Sequence, residues 1–423
     1  MRHVVPHIDP LEPRRLLATF TVTTTADTGA GSLRDAIDQA NALAGADVVQ
    51  FNIPGAGPHT ITLASPLPSI TQALTISGQT QPGFTSSPLI TVNGASLVPG
   101  SRIGIDIAAA SVEVRSLALV GFEAGVRIAG NNARVLANHI GVGADGTTRG
   151  AMNTGVLHVL GSNAIIGQSG AGNVIGFGAS GDPGVGISLN GGVSHQVNAN
   201  RIGTTAAGNA ANGSVGTGIL VENNTGATIG TSNAGNVVSG ITGIGIDLAE
   251  GGADLAANRI GIALNNSALG NSSHGIHVGD GTFTIDRNNI IAHNGGAGLR
   301  LTGSPARASA HSNQIFNNGG LGIDLGAEGP DTNDPLDADA GPNGLQNYPT
   351  NLSARRLPDG RVRFRGTLHS TPLNGFLVDY YRSTTRDPSG FGEGQTWIGY
   401  DSLSTNAAGN ASWDFASNSV YPA

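Results

Sequence analysis

The segment GIDLAEGGADLAANRI, residues 245 to 260, contains the two short patterns that decide the fold. The first is a Gly followed by an apolar, a variable and an apolar residue. The second is an Asn followed two positions later by Ile or Val. Alternation of apolar and other residues is typical of a β-strand with one buried face. The segment therefore predicts two short strands joined by a turn, with Ile246 pointing inward and Asp247 outward.

Both patterns repeat along the chain, and repeats decide an architecture before any single element does. The first begins at Gly104, Gly125, Gly155, Gly186, Gly218, Gly245, Gly275, Gly298 and Gly322, with spacings of 21 to 32 residues by subtraction. The second begins at Asn138, Asn173, Asn200, Asn236, Asn258, Asn289 and Asn313. A propeller blade needs about 40–45 residues, and a leucine-rich repeat needs a dense Leu pattern. The sequence therefore predicts an all-β fold, a right-handed parallel β-helix solenoid.

Equivalent side chains stack along the axis of a parallel β-helix. We expect one inward file to contain Ile105, Val126, Ile187, Ile246, Ile276 and Ile323, each burial stabilising the fold by about 1.5–3 kcal/mol. We expect each coil to hold a strand, a turn, a second strand ending near the Asn, and a loop. An Asn at a strand end tolerates left-handed backbone geometry, and when it is stacked at a turn its amide can bond the amide of the next coil. Its role is therefore architectural.

Composition limits the possible functions. The chain has 423 residues, of which 66 are Gly, and 39% are hydrophobic, so it can bury a core. The net charge is −8 and all basic residues are Arg; without a basic stripe, we expect no nucleic-acid partner. The absence of Cys excludes disulfides and thiolate metal sites. No apolar segment is long enough for a membrane helix, and we expect a monomer without membrane insertion.

Residues 32 to 43, SLRDAIDQANAL, predict one amphipathic helix in an otherwise strand-rich chain. Ser32 followed by Asp35 is typical of a capping box with Asp in place of Glu. An apolar stripe is formed by Leu33, Ile37, Ala40 and Leu43. Because a stack of coils has open ends, we expect this helix to cover the first coil.

The region around this helix resembles a known family. TVTTTADTGAGSLRDAIDQANALAGADVVQFNI (21–53) and TITLASPLPSITQALTISG (60–78) resemble the CSLREA-type segment that opens many bacterial right-handed β-helix surface proteins. Gly31 stands where the family has Cys, and Asp35 where it has Glu. TQPGF (80–84), NHIGVGADGT (138–147), IGQSGAGNVIG (166–176) and NRIGTTAAGNA (200–210) are similar to the family's coils. The resemblance extends over about residues 20 to 423 and implies architecture rather than activity.

A second resemblance concerns the N-terminus. LEPRRLLA at 11–18 resembles the LEPR-XLL segment of large, repetitive, exported proteins of planctomycetes and some other bacteria. It implies an extracellular or cell-surface location. The first 20 residues contain no continuous apolar core of the kind that a secretory signal requires, and we expect residues 1–19 to be a disordered leader.

The patterns divide the rest of the chain into four parts. Residues 20–100 are expected to form the N-terminal cap and first coils, and residues 101–328 the remaining coils. Residues 329–349 form an acidic linker. Residues 350–423 alternate like antiparallel strands and contain most of the aromatic residues. They predict a small β-sandwich-like domain, whose completeness the sequence leaves open.

The outward position of the first pattern forms a column on the surface. Its members are Asp106, Arg127, Leu157, Ser188, Leu220, Asp247, His277, Arg300 and Asp324. The last four are the candidate ligand-binding residues and, if the protein is an enzyme, the candidate catalytic residues. The alternative is a solvated ladder of compensating charges, in which each pair contributes less than about 1 kcal/mol.

Two functions follow from these patterns. The first, which the sequence favours, is an exported, non-enzymatic β-helix of the bacterial surface that is structural, adhesive or glycan-binding, with a polysaccharide or a matrix component as partner. The second is a polysaccharide lyase, glycoside hydrolase or epimerase working on the outer face. The NTD, DD and RIK signatures of polygalacturonase-like hydrolases are absent, and no cofactor is expected for either function.

An acidic run in the linker suggests a structural metal. The run contains Asp331, Asn333, Asp334, Asp337 and Asp339 and is followed by Gly341. Oxygen ligands at alternate positions suit Ca²⁺, although the EF-hand pattern is not met. We expect Ca²⁺ ligands from Asp331, Asn333, Asp337 and Asp339, and the alternative is a hydrophilic linker without an ion.

Overall fold

The computed structural model describes residues 17–159, 161–178, 183–417 and 420. Of the expected leader, residues 1–16 lie outside this range. The chain begins with one helix among short strands and a single 3₁₀ turn at Gly78–Thr80. These elements are β1 (Thr19–Val22), α1 (Leu33–Ala42), β2 (Asp47–Phe51), β3 (His59–Thr62), β4 (Leu74–Ser77) and β5 (Ile90–Asn93).

Helix α1 is fixed at its start by the predicted capping box. The Asp35 backbone N–H donates to the Ser32 hydroxyl at 3.1 Å, and the Asp35 carboxylate accepts from the Gly31 N–H at 3.1 Å. Leu33, Ile37 and Ala40 lie in the main hydrophobic core. The expectation for Leu43 is wrong, because the helix ends at Ala42 and leaves Leu43 48% exposed.

The coils contain 23 further strands in chain order. They are β6 (Ile103–Ile107), β7 (Glu113–Arg115), β8 (Leu117–Val120), β9 (Phe122–Ile128), β10 (Arg134–Leu136), β11 (His139–Ile140), β12 (Met152–Val159), β13 (Ile165–Ile166), β14 (Val174–Ile175), β15 (Gly184–Asn190), β16 (Gln196–Val197), β17 (Arg201–Ile202), β18 (Val215–Glu222), β19 (Asn224–Ile229), β20 (Val237–Val238), β21 (Thr242–Leu255), β22 (Arg259–Ile260), β23 (Ile276–Ile285), β24 (Ile290–Ala292), β25 (Leu299–Leu301), β26 (Ala306–Ser309), β27 (Gln314–Phe316) and β28 (Ile323–Leu325).

These strands pair in parallel from coil to coil and form three faces. The first face pairs β6, β9, β12, β15, β18, β21, β23, β25 and β28 in that order. The second face is part of the same 18-stranded sheet, and a ten-stranded sheet forms the third face. The protein is therefore a parallel β-helix, which confirms the predicted fold class.

The number of strands in each coil differs from the expectation. The sequence predicted two strands per coil, whereas three faces require three. From β11 to β27 the missed strands of the third face contain only two or three residues, such as Arg259–Ile260, and each of these begins directly after the Asn of the second pattern. Such short strands carry too little alternation to be recognised from one sequence.

The inward file of the first face is confirmed by the strand register. Ile246 pairs with Ile276, Ile276 with Leu299, and Leu299 with Ile323. The first three of these side chains are at most 1% exposed, but Ile323 is 46% exposed. The expected burial of Ile323 is wrong because β28 is the last strand of this face and has no coil above it.

The recurring Gly of the first pattern has a steric cause. A Cβ on Gly245 would lie 2.5 Å from the carbonyl oxygen of Gly275, and a Cβ on Gly275 would lie 2.7 Å from that of Gly298. Real Cβ atoms do not approach oxygen so closely, so any other residue would push successive coils apart. The Gly is therefore required by the stacking distance.

The Asn of the second pattern forms a buried ladder. From Asn173 to Asn313, the Asn side-chain oxygen accepts hydrogen bonds from the backbone and side-chain N–H groups of the preceding Asn, as between Asn236 and Asn200 at 3.0 Å each. The ladder confirms the predicted amide–amide bonds. The left-handed geometry falls on the residue before the Asn, as at Ala199 (φ 58°) and Ala257 (φ 57°).

The last part of the chain forms two antiparallel sheets. One contains β29 (Thr350–Arg356), β30 (Val362–His369) and β33 (Asn410–Ala416), and the other contains β31 (Gly375–Arg382) and β32 (Thr396–Ser404). Leu368, Tyr380 and Trp413 form their shared core. Two 3₁₀ turns, Pro335–Asp337 and Pro342–Leu345, precede the sheets. We call these two sheets the C-terminal module.

Candidate functional site

The predicted column exists on the outer side of the first face. Asp247 pairs with His277, His277 with Arg300, and Arg300 with Asp324 in consecutive strands. Because the strands are in register and neighbouring strands lie about 4.8 Å apart, the four side chains follow one another along the axis. The structure thus brings all four candidate residues together, and they divide into two pairs.

Asp247 and His277 form the accessible pair. The His277 Nδ1 lies 2.8 Å from Asp247 Oδ1, and His277 Nε2 lies 2.8 Å from the Thr302 hydroxyl. Both side chains of the pair are partly exposed, and Thr302 is exposed. A carboxylate, an imidazole and a hydroxyl are therefore connected in series at the surface, an order that can fix the imidazole tautomer and polarise the hydroxyl.

Arg300 and Asp324 form a buried pair. Their side chains are 10% and 5% exposed, and Arg300 Nη1 lies 3.2 Å from Asp324 Oδ2. The guanidinium also donates to the carbonyl oxygens of Gly326 and Ala327 at 2.7 and 3.2 Å. Burial raises the pKa of the Asp324 carboxyl against the lowering effect of Arg300. The expectation of a solvated ladder is wrong for this pair, because the chain leaving the last coil lies over it.

His274 lies beside the column and was not singled out from the sequence. Its Nδ1 accepts a hydrogen bond from the Ala297 backbone N–H at 3.0 Å. Burial lowers the pKa of His274, and the nearby His277 and Arg300 lower it further. The neutral imidazole thus joins two coils as an acceptor. Its position three residues before His277 was a visible signal, although a lone His more often has a structural role.

The acidic run assembles differently from the expected calcium site. Carboxylate oxygens of Asp334, Asp337 and Asp339 lie within 4.8 Å of one another, and desolvation and neighbouring carboxylates raise the pKa of Asp339. Asn333 instead uses its amide on Tyr348, donating to the carbonyl at 2.8 Å and accepting from the N–H at 2.9 Å. Asp331 is outside this group of three. Calcium binding stays a prediction.

A second Asn ladder, which the sequence analysis missed, leads to the C-terminal module. It contains Asn271, Asn294 and Asn318, and each Asn lies four residues before the Gly of the first pattern, a spacing that was visible in the sequence. Asn271 donates to Asn294, and Asn294 to Asn318. Asn318 in turn donates to the carboxylate of Glu393 in the C-terminal module at 3.0 Å. The module therefore continues the ladder where the coils end.

Other contacts join the same two parts of the chain. The Ile315 N–H donates to the Gly394 carbonyl at 2.8 Å. Asp379 accepts from the His311 imidazole at 3.0 Å and from the Ser312 N–H at 3.2 Å. Burial raises the pKa of the Tyr381 hydroxyl, which accepts from the Asn313 backbone N–H. These contacts cover the end of the β-helix and fix the module against it.

No helix among the described residues is long and apolar enough to cross a membrane. A scan against protein-family models gives no match, and neither does a comparison with curated proteins. Among solved structures, the chain is similar to tailspike protein gp49 of Acinetobacter baumannii bacteriophage Fri1, a capsular polysaccharide depolymerase. The identity is 10% and the TM-score 0.20; the similarity covers 88% of this chain and 64% of the tailspike chain.

Proposed function

We propose that the protein is an exported bacterial β-helix that binds glycans at the cell surface without turning them over. Support for export and surface location comes from the CSLREA-type and LEPR-XLL-like segments. The glycan-binding role rests on the accessible part of the column, where Asp247, His277 and Thr302 present connected polar groups on the outer side of the first face. An extended polymer can contact such a face over several coils.

The single observation that carries the proposal is that the two basic groups of the column, His277 and Arg300, are bonded within the protein. Both His277 nitrogens have partners, and Arg300 is bonded to Asp324, Gly326 and Ala327. An imidazole held at both nitrogens must exchange one of these partners before it can transfer a proton to or from a substrate. A rigid, internally bonded surface instead suits recognition, because its donors and acceptors are held in place before the ligand arrives.

A second candidate function is a carbohydrate-active enzyme, whether polysaccharide lyase, glycoside hydrolase or epimerase. The observation that favours it is the series of Asp247, His277 and the Thr302 hydroxyl, since an oriented imidazole beside an exposed hydroxyl can act as a base. In that case a substrate would have to displace Thr302 from His277 or react with it. The buried pair of Arg300 and Asp324, in the next two strands of the same face, would then have a structural role beside the site.

A screen of neutral and acidic polysaccharides that measures retention and bond cleavage separately distinguishes the two functions. For the proposed function we expect retention without new chain ends, weakened about tenfold, or 1.4 kcal/mol, in His277→Ala. Arg134→Ala is the matched control, because it removes a partly exposed ion pair with Glu113 on the second face.

Each outcome has a clear meaning. Cleavage by the wild type that disappears in His277→Ala would establish the enzyme and overturn the non-enzymatic proposal. Failure of every polysaccharide to be retained would overturn glycan binding altogether. Equal retention by the wild type and His277→Ala would show that the column is not part of the binding surface.

A further inference from the structure

Two exposed aromatic rings lie next to each other on the C-terminal module, where it meets the β-helix. Trp397 is 40% exposed and Tyr400 is 50% exposed. Their ring planes differ by only 24°, and their centroids are 6.4 Å apart. Large aromatic side chains dominate core and interface energetics, because they bury much apolar area. A nearly parallel pair of half-exposed rings therefore offers apolar area that a ligand can cover.

A β-bulge places both rings on one side of the sheet. Tyr400 pairs with Asp379, and Trp397 pairs with Tyr381, although three positions separate the two rings and only two separate their partners. The extra residue in β32 is Ile398, next to the register shift. Without it, alternation would turn Trp397 and Tyr400 to opposite faces. A bulge that re-aims a side chain in this way is commonly found beside functional sites.

The β-helix holds the pair in position. Trp397 Nε1 donates to Asp379 Oδ1 at 2.9 Å, and the other Asp379 oxygen accepts from His311 and Ser312 of the coils. The His311 ring stands edge-on to Tyr400 at 5.2 Å and to Trp397 at 6.3 Å. The polar atom of the indole is thus already bonded, and the apolar faces of the two rings remain for a ligand.

We propose that Trp397 and Tyr400 form a stacking site for a neutral glycan, in which the C–H face of a sugar ring lies on the aromatic rings. The faces of an aromatic ring carry negative charge from the π-system, which attracts the weakly positive C–H groups of a pyranose. Sugar hydroxyls around the stacked ring can then bond the polar rim that includes Asp379 and His311. This site is separate from the column around His277.

The charge at the site selects the ligand class. The Asp379 carboxylate touches Trp397, and Tyr400 lies opposite it in the register. An acidic polysaccharide stacked on the rings would therefore meet the like charge of Asp379. A neutral glycan avoids this repulsion.

The fluorescence of the protein provides a direct test. The chain has only two Trp residues, and Trp413 is 7% exposed in the core of the module. We therefore expect neutral oligosaccharides, such as cello-, xylo- and chito-oligosaccharides, to shift the emission of the full chain to shorter wavelength and to protect it from acrylamide. Oligogalacturonides are the acidic comparison and are expected to do neither.

Variants connect the signal to the two rings. We expect Trp397→Ala and Tyr400→Ala to weaken retention of the neutral glycan more than tenfold in affinity electrophoresis. The matched controls are Tyr348→Ala and Phe391→Ala. These residues form another exposed aromatic pair, but their planes are 85° apart and offer no common face. Unchanged melting temperatures identify loss of binding rather than loss of fold.

The inference rests on the proposed function only for the class of ligand, and the two can fail separately. Loss of retention in Trp397→Ala but not in His277→Ala supports the stacking site and shows that the column does not bind the glycan. Retention lost in His277→Ala but kept in both Trp397→Ala and Tyr400→Ala overturns the stacking site. The absence of any neutral-glycan effect on the fluorescence also overturns it.

Discussion

Glu393 occupies the position that the next Asn would have in the second ladder. Its carboxylate accepts from the Asn318 backbone N–H at 3.2 and 3.3 Å and from the Asn318 side chain at 3.0 Å. Asn294 makes the equivalent bonds to Asn318 at 3.1 and 2.9 Å. A side chain of the C-terminal module thus makes, at the end of the ladder, the bonds that the Asn of a further coil would have made.

Replacement of Glu393 by Ala is expected to lower the free energy of unfolding by about 1–3 kcal/mol, because the partly buried donors of Asn318 lose their acceptor. Glu393→Gln retains an acceptor oxygen and is the matched control, expected to stay closer to the wild type. Urea unfolding at neutral pH measures both. Equal stability of all three proteins would show that the end of the ladder needs no acceptor.

The same residue gives a pH dependence. Burial raises the pKa of Glu393 in the folded protein above the ordinary value of 4.5. At a pH between the unfolded and the folded pKa, the folded protein therefore holds a proton that the unfolded chain releases. Its contribution to stability is therefore complete below pH 4.5 and is lost as the pH rises through the folded pKa. We expect the difference in unfolding free energy between wild type and Glu393→Gln to change in this window. A pH-independent difference would contradict the raised pKa.

Gly275→Ala is expected to destabilise the β-helix by about 1–3 kcal/mol, the usual cost of overpacking. The added methyl group would meet the Gly298 carbonyl oxygen at 2.7 Å. Gly375→Ala in the C-terminal module is the control, since a Cβ there meets nothing within 4 Å. Thermal unfolding compares the two, and an unchanged melting temperature for Gly275→Ala would disprove the steric role of the repeated Gly.

Asn236→Ala interrupts the middle of the first ladder. It removes the acceptor for two N–H groups of Asn200 and two bonds that Asn236 donates to Val197 and Asn258. Buried groups without partners cost about 1–3 kcal/mol each, so we expect a loss of at least about 2 kcal/mol in chemical unfolding. Asn209→Ala, at an exposed position, should leave stability nearly unchanged; an equal loss in both would contradict the ladder.

Arg300→Ala leaves the buried Asp324 carboxylate unpaired and is expected to cost about 3–5 kcal/mol. The exposed pair of Arg361 and Asp359 provides the contrast, with side chains 44% and 50% exposed. Arg361→Ala should cost less than about 1 kcal/mol. Unfolding free energies of the two variants measure the difference. Similar small losses would mean that solvent reaches the Arg300 pair.

The sequence by itself determined the repeat. The stacking distance requires a Gly, the interior requires alternating aliphatic residues, and the buried ladder requires an Asn, so each coil carries the same local signature. The register of Asp247, His277, Arg300 and Asp324 followed from that signature alone. The capping box of Ser32 and Asp35 was also local, because a helix N-terminus is satisfied by residues three positions apart.

Only the tertiary structure decided which surfaces stay open. Arg300 and Asp324 became buried because the chain crosses over them after the last coil, and Ile323 became exposed because no coil follows it. The site at Trp397 and Tyr400 depends on a bulge and on Asp379 meeting His311, contacts between residues 68 positions apart. Such contacts depend on how the C-terminal module packs on the coils, and no pattern within a single coil encodes that packing.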